Sequence, residues 1–354
     1  MKENALSIQS GSRLEGLDLA RYIAFVGMVT VNFSLAMGAN QGAELLKMLT
    51  SALEGRAAAT FVVLAGIGLG LAGQKRLDQT VSVTIKRALF LLALGLLNAT
   101  IFEADILHYY ALYFLFGALL LRVGSWMLLG VIVVLNALFV ILIFILNYDA
   151  GWNWTNYTYE GFWTPIGFVR NLFFNGWHPV VPWLGFMLFG IVLSRLQLSQ
   201  RTIQLRLLIG GGLALAIAEL CSAWLTPQLA QLAPELAALA TTKPVPPMPL
   251  YTLAGIGAAS MVTGGCLLIS DWLGSIGILR LVTPAGRQSL TLYIAHIVLG
   301  MGALQALGML GEQTIEQAVA ASAIFCLLAT AYAMIWNRWF IRGPIEELMR
   351  RIAG

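Results

Sequence analysis

The sequence predicts an all-α polytopic membrane bundle, and three observations carry that expectation. Only 11% of residues are Asp, Glu, Lys or Arg, against roughly 25% in a soluble globular domain. Apolar runs recur along the whole chain, with 59% of residues hydrophobic and a mean hydropathy of +0.81. Sustained two-residue alternation is missing, which argues against a membrane β-barrel.

A helix needs about 20 apolar residues to cross the hydrocarbon core. About ten segments read as spans: 18–38, 57–73, 83–102, 105–122, 124–146, 179–194, 205–225, 250–270, 288–310 and 316–336. The first opens on Asp18 and Arg21, an i,i+3 pair whose plainest role is a structural ion pair. Its Asn32 comes about three turns later; such an amide either joins helices or stabilises an oxyanion. The second and eighth carry Gly66-Ile-Gly68 and Gly255-Ile-Gly257, small residues that let helices pack closely. The fourth opens on Asp105-Ile-Leu-His108-Tyr109-Tyr110, and the sixth on His178-Pro179-Val-Val-Pro182-Trp183, where proline suits a first turn. The ninth holds His296, about 12 Å along its span at 1.5 Å per residue. No linker divides the chain, so residues 1–354 are expected to form one membrane domain.

Basic residues set the orientation. With the N-terminus cytoplasmic, 17 of the 21 Lys and Arg residues fall on the inner side, leaving Lys47, Arg56, Arg170 and Lys243 outside. That bias predicts both termini cytoplasmic and an even number of spans. The net charge of +4 then reflects anchoring at the membrane and calls for no nucleic-acid partner. The tail 338–354 reads as a basic, amphipathic membrane-surface anchor. Asp18 and Arg21 make the opening of the first span too polar for a plain signal-peptide core, so an uncleaved helix is expected. Cys221, Cys266 and Cys326 lie in apolar spans without Cys-x-x-Cys spacing, which suggests neither a disulfide framework nor a zinc site.

Two outer loops are long. Residues 147–177 mix Trp, Tyr and Asn; they read either as an interfacial aromatic belt or as a stacking platform for a sugar or lipid headgroup. Residues 226–249 read as a short interfacial helix stopped by a proline run.

Ionisable side chains inside a membrane are costly, so they mark functional sites by default. Asp105 and His108, at i and i+3, share a helix face. A carboxylate beside imidazole orients the ring and raises its basicity, which suits a general base. Asp105 would equally serve as a helix cap, and the two roles are compatible. His178 stands at the same expected depth, which points to a shared site. Glu54-Gly55-Arg56 precedes the second span and would line the same cavity, with Tyr109 as a further acceptor contact. Arg87 and Arg287 are inner-side cations that either meet nucleotide phosphate or anchor helix ends. No Walker A or His-Glu-x-x-His motif is present, and Ser289 and Thr291 lack a nucleophile elbow, so metal catalysis, ATP hydrolysis and serine hydrolysis are not supported.

The opening Arg13-Leu-Glu-Gly-Leu-Asp18-Leu-Ala-Arg21 through Asn32 resembles the first helix of the heparan-α-glucosaminide N-acetyltransferase superfamily. Further segments resemble its YeiB-type bacterial branch: Glu54-Gly-Arg-Ala-Ala-Ala-Thr-Phe61, Asp105 to Tyr110, His178 to Trp183, Ala285-Gly-Arg287-Gln-Ser-Leu-Thr291-Leu-Tyr293, and Trp339-Phe-Ile-Arg342-Gly-Pro344-Ile-Glu346. The resemblance covers the whole chain in order. It implies an acyltransferase of the bacterial cytoplasmic membrane that takes an acyl group, acetyl first, from cytoplasmic acyl-CoA to an acceptor across the membrane. In the superfamily an asparagine of the first helix and a histidine of the following outer loop serve the transfer. Asn32 matches the asparagine, whereas loop 38–56 contains no histidine. His108, oriented by Asp105, or His178 would then supply the base, while Arg87, Arg287, His296 and Trp183 would meet the CoA. The expected partners are membrane lipids and a small-molecule, glycan or lipid acceptor; a homodimer stays open and no metal is implied. The alternative is a transporter or flippase without chemistry, which ten spans and buried histidines suit as well.

Overall fold

The computed structural model describes residues 14–354, so Lys2 and Arg13 lie outside the described residues. The chain is nearly all helix. In order it forms α1 (Glu15–Ala36), α2 (Glu44–Leu53), α3 (Arg56–Lys75), α4 (Leu77–Ala99), α5 (Leu107–Leu119) and α6 (Ser125–Ile145). A two-residue hairpin, Trp152–Asn153 against Thr158–Tyr159, precedes α7 (Pro165–Arg170) and a π-helical turn, Asn171–Asn175. Then come α8 (Val180–Ser194), α9 (Arg201–Leu232), a 3₁₀ turn at Pro234–Ala240 and α10 (Pro249–Ser275). The chain closes with α11 (Leu279–Arg287), α12 (Ser289–Ala295), a second π-helical turn at His296–Met301, α13 (Gly302–Ala306), α14 (Ile315–Trp336) and α15 (Pro344–Ala353).

Eight helical stretches among the described residues are long and apolar enough to cross a membrane. They are α1, α2 with α3, α4, α6, α9, α10, α12 to α13, and α14. The helices around residues 165–194 form one broken pair bent by 50°. The expected fourth span, 105–122, is α5, which has only 13 residues. It is short because Asp105 starts it late and Leu120 ends it two residues before Arg122.

Two other boundaries differ from expectation. The second span begins at Glu44, not 57, and runs 32 residues to Lys75 with a break at Glu54-Gly55. Gly55 adopts φ +69°, a left-handed conformation that interrupts the helix without ending the apolar segment. Helix α9 runs on to Leu232 through Pro227, so the expected interfacial helix of loop 226–249 shrinks to the 3₁₀ turn.

Small residues set the helix contacts. A Cβ at Gly66 of α3 would sit 2.2 Å from the Met187 carbonyl of α8, and one at Gly190 of α8 would sit 2.1 Å from the Val63 carbonyl. Backbone-to-backbone approach of this kind replaces the hydrophobic drive that lipid removes. Gly68-Leu-Gly70-Leu-Ala-Gly73 has the spacing of a dinucleotide-binding turn, but it lies within α3 and packs on Ser194 and Leu121. It therefore lacks the strand-to-helix setting that would make it a phosphate loop. The tail helix α15 docks on the bundle instead of lying free. Glu346 accepts hydrogen bonds from the Leu290 and Thr291 amides at 2.8 and 3.2 Å, satisfying the first turn of α12.

Candidate functional site

The mouth of α5 is built around Asp105, which is fully buried. Its Oδ2 accepts from the Leu107 amide at 2.8 Å and the His108 amide at 3.4 Å, so the capping role is present. Its Oδ1 accepts from Asn98 Nδ2 at 2.6 Å and from the Tyr293 hydroxyl at 3.1 Å. His108 Nδ1 lies 3.3 Å from Oδ2, so the carboxylate–imidazole pair forms as well. The His108 Nε2 is buried with no partner among the described residues. Helix α4 can close on this turn only through Gly95, where a Cβ would sit 2.2 Å from the His108 nitrogen.

A second polar pair lies on α1 and the π-helical turn after α12. His296, fully buried, turns Nδ1 toward the Tyr293 carbonyl. A carbonyl only accepts, so Nδ1 carries the proton and Nε2 is left as an acceptor. Asn32 Nδ2, 3.0 Å away, donates to it. The histidine thus fixes which way the Asn32 amide points, and the second N–H of that amide remains for another acceptor. The wider turn of a π-helix, common at functional positions, starts at His296.

Two cavities approach each other inside the bundle. The larger, about 700 Å³, is ringed by Arg21, Lys75, Arg76 and Arg87, with Glu346 as its one acid. The smaller, about 360 Å³, holds Asn32, Lys47, Glu54, Trp177 and His178. Both volumes fall in the range of small-ligand sites, about 300–1,000 Å³. Met28, Ile106 and Tyr293 line both cavities, so a wall one residue thick separates them. Their other linings come from opposite ends of the helices. The larger opens where α3 ends and α4 begins, the smaller where α1 ends and α2 begins.

The expected site residues separate accordingly. Asn32, Glu54 and His178 share the smaller cavity, and Arg87 lines the larger. His108, Asp105 and Tyr109 lie behind the smaller cavity's wall. Tyr109 bridges two histidines: its ring centre is 3.9 Å from that of His108 and 5.8 Å from that of His178. The Tyr109 hydroxyl donates to Asn171. His178 keeps a buried Nδ1 without a partner among the described residues. Trp183 is not part of the larger cavity's lining and packs edge-on against His178 at 4.7 Å. Arg287 is engaged by Asp18 at 3.2 Å and Glu15 at 3.5 Å, which is the helix-anchoring alternative. Arg56 pairs with Glu219 and donates to the Ala52 carbonyl at 2.8 Å, outside both linings. The Asp18–Arg21 pair forms at 2.7 Å. Among the described residues no cluster of three or more His, Cys, Asp or Glu side chains converges as a metal site would.

Sequence reasoning missed Tyr293, which touches both cavities while bonding Asp105. Its i,i+3 spacing to His296 was the available signal. The aromatic residues of 147–177 mostly pack on one another, as in the Trp152–Trp154 stack at 4.5 Å, but Tyr157 and Trp177 reach the smaller cavity.

Comparison with known families bears on this arrangement directly. Residues 13–221, more than half of the 354, match the family described as heparan-alpha-glucosaminide N-acetyltransferase, catalytic. The chain belongs to that family. Residues 191–354 match a second family, described as a protein of unknown function, DUF418. No curated protein matches the chain. The N-acetyltransferase match contributes Asn32, Glu54, the α5 mouth and His178. The second match contributes Tyr293, His296 and the docked tail. Each cavity draws residues from both.

Proposed function

We propose that this protein is a membrane-embedded acyltransferase of the cytoplasmic membrane, with the larger cavity facing the cytoplasm and the smaller facing outward. An acyl-CoA, acetyl-CoA in the simplest case, enters the basic cavity. Its phosphates meet Arg76, Arg87 and Lys75, and its thioester reaches the wall at Met28, Ile106 and Tyr293. The acceptor occupies the smaller cavity. Support comes from the two opposed cavities meeting at one wall, in a chain of this family. The sidedness rests on the bias of Lys and Arg toward the larger cavity's end.

The step balances as acyl-S-CoA plus HO–R or H₂N–R giving the acyl ester or amide plus HS-CoA. The acceptor's oxygen or nitrogen attacks the thioester carbonyl, the new C–O or C–N bond forms, and the C–S bond breaks. His178, whose Nδ1 has no partner among the described residues, takes the acceptor proton, which ends on the departing thiolate. The free N–H of Asn32 donates to the carbonyl oxygen as it gains charge. His296 holds that amide in its donor orientation. His108 and Asp105 act as positioning residues, keeping Tyr109 against His178 and α5 against Tyr293.

The test is binding and turnover in lipid nanodiscs. Acetyl-CoA should raise the melting temperature, because a ligand that binds only the folded state stabilises it. Arg87→Ala should weaken that binding about tenfold, one lost charge-assisted contact of about 1.5 kcal/mol. Two cavities about a central wall also suit alternating access. Stabilisation by a solute but by no acyl-CoA would replace this reading with transport.

A further inference from the structure

Helix α2 divides its residues in an unusual way. None of the ten is buried. Lys47, Thr50 and Ser51, followed by Glu54, line the smaller cavity. Leu45, Met48 and Leu49 point the other way, with exposures of 61%, 63% and 52%. Both sets follow the i, i+3, i+4 spacing of a single helical face. In water the exposed leucines would be unfavourable, whereas in a bilayer they meet acyl chains and the polar face meets the cavity.

Depth agrees with this. A Cβ on Gly27, midway along α1, would stand 3.7 Å from Leu53. The C-terminal end of α2 therefore lies level with the middle of α1. The chain turns at a glycine at both ends of α2: Gly42 has φ +117° and Gly55 has φ +69°, conformations in which glycine alone is unstrained. A single ten-residue helix thus lies between the smaller cavity and an exposed apolar surface.

We infer that the acceptor is lipid-borne, entering the smaller cavity sideways past α2, its polar headgroup against Lys47, Thr50, Ser51 and Glu54 and its chains along Leu45, Met48 and Leu49. This rests on the reading of the smaller cavity as the acceptor site. The chemical class is a membrane lipid whose headgroup carries a hydroxyl or amine. The cavity-lining polar face and the exposed apolar face of one short helix give a headgroup and its chains adjoining places.

Photo-crosslinking tests this without requiring turnover. The protein is placed in nanodiscs doped with phosphatidylethanolamine carrying a diazirine on its headgroup. Labelling is expected on residues 47–54 above that on the outer end of α6, and Ser51→Trp, which fills the cavity, should lower it at least fivefold. Labelling of 47–54 no greater than on α6, or unchanged by Ser51→Trp in a folded variant, overturns the inference. A second arm separates it from the acyltransfer reading: radiolabel from acetyl-CoA should pass into the organic extract. Thiol release with label only in water-soluble product sinks the lipid acceptor and leaves acyl transfer standing. Headgroup labelling with no acetyl-CoA binding does the reverse.

Discussion

At the residue scale the decisive contrast is between two buried histidines with different outlooks. His108 is turned toward Asp105 and away from both cavities, whereas His296 holds the one amide that faces the smaller cavity from α1. Replacing Asp105 by alanine would strip partners from Asn98, Tyr293 and the Leu107 amide. Each buried group left unpaired costs about 1–3 kcal/mol, so Asp105→Ala should unfold at markedly lower temperature than wild type, measured by thermal denaturation in detergent. A melting point within a degree of wild type would show that the α5 mouth carries no structural weight. His296→Gln should lower kcat at least tenfold while leaving KM for acetyl-CoA unchanged, because it loosens Asn32 without touching the basic cavity. A rise in KM alone would remove His296 from a positioning role. Asp105 and His108 were legible in the sequence because charge in an apolar chain stands out. Tyr293 was not, because a tyrosine in an oily helix carries no such contrast and its value lies in contacts 187 and 188 residues away in sequence.

At the element scale the docking of α15 is set by Glu346. Burial raises its carboxyl above the ordinary 4.5, with the Thr291 hydroxyl and backbone amides opposing part of that shift. The folded state then binds more protons than the unfolded state in the window from 4.5 upward to the raised value. Docking is therefore strongest below that window and weakens as pH rises through it. Amide exchange in α15, corrected for intrinsic rate, should be slower at pH 4.5 than at pH 7.5, and Glu346→Gln should flatten the difference. Faster exchange at the acid end would contradict the sign. The solvated Glu347 moves the opposite way, held down to about 2 by Arg350 and Arg351, and so does not titrate in that range. Most helices were readable from apolar run length alone. The exceptions share a cause: breaks at Gly55 and the π-helical turns at Asn171 and His296 leave hydropathy unchanged, so only the backbone reveals them. The amphipathic tail was visible, but its role as a cap on α12 needed the contact with Thr291.

At the scale of the whole molecule, the bundle holds two cavities that share one wall. Four of the 17 basic residues on which the expected orientation rests, Arg21, Lys75, Arg76 and Arg87, also line the larger cavity. The smaller cavity was harder to foresee, since α1, α2, α3, α12 and the turn before α8 supply it from far apart in the chain. The proposed function turns on one event at the wall, transfer of an acyl group from a donor on the basic side with Asn32 stabilising the oxyanion. The most direct measurement is release of free CoA thiol from acetyl-CoA by the protein in phosphatidylethanolamine nanodiscs, beside Asn32→Ala. Wild type should release thiol in multiple turnovers, and Asn32→Ala should do so about 100-fold more slowly while still binding acetyl-CoA. Wild-type protein that is folded yet releases no thiol, or an Asn32→Ala variant with full activity, would contradict the account.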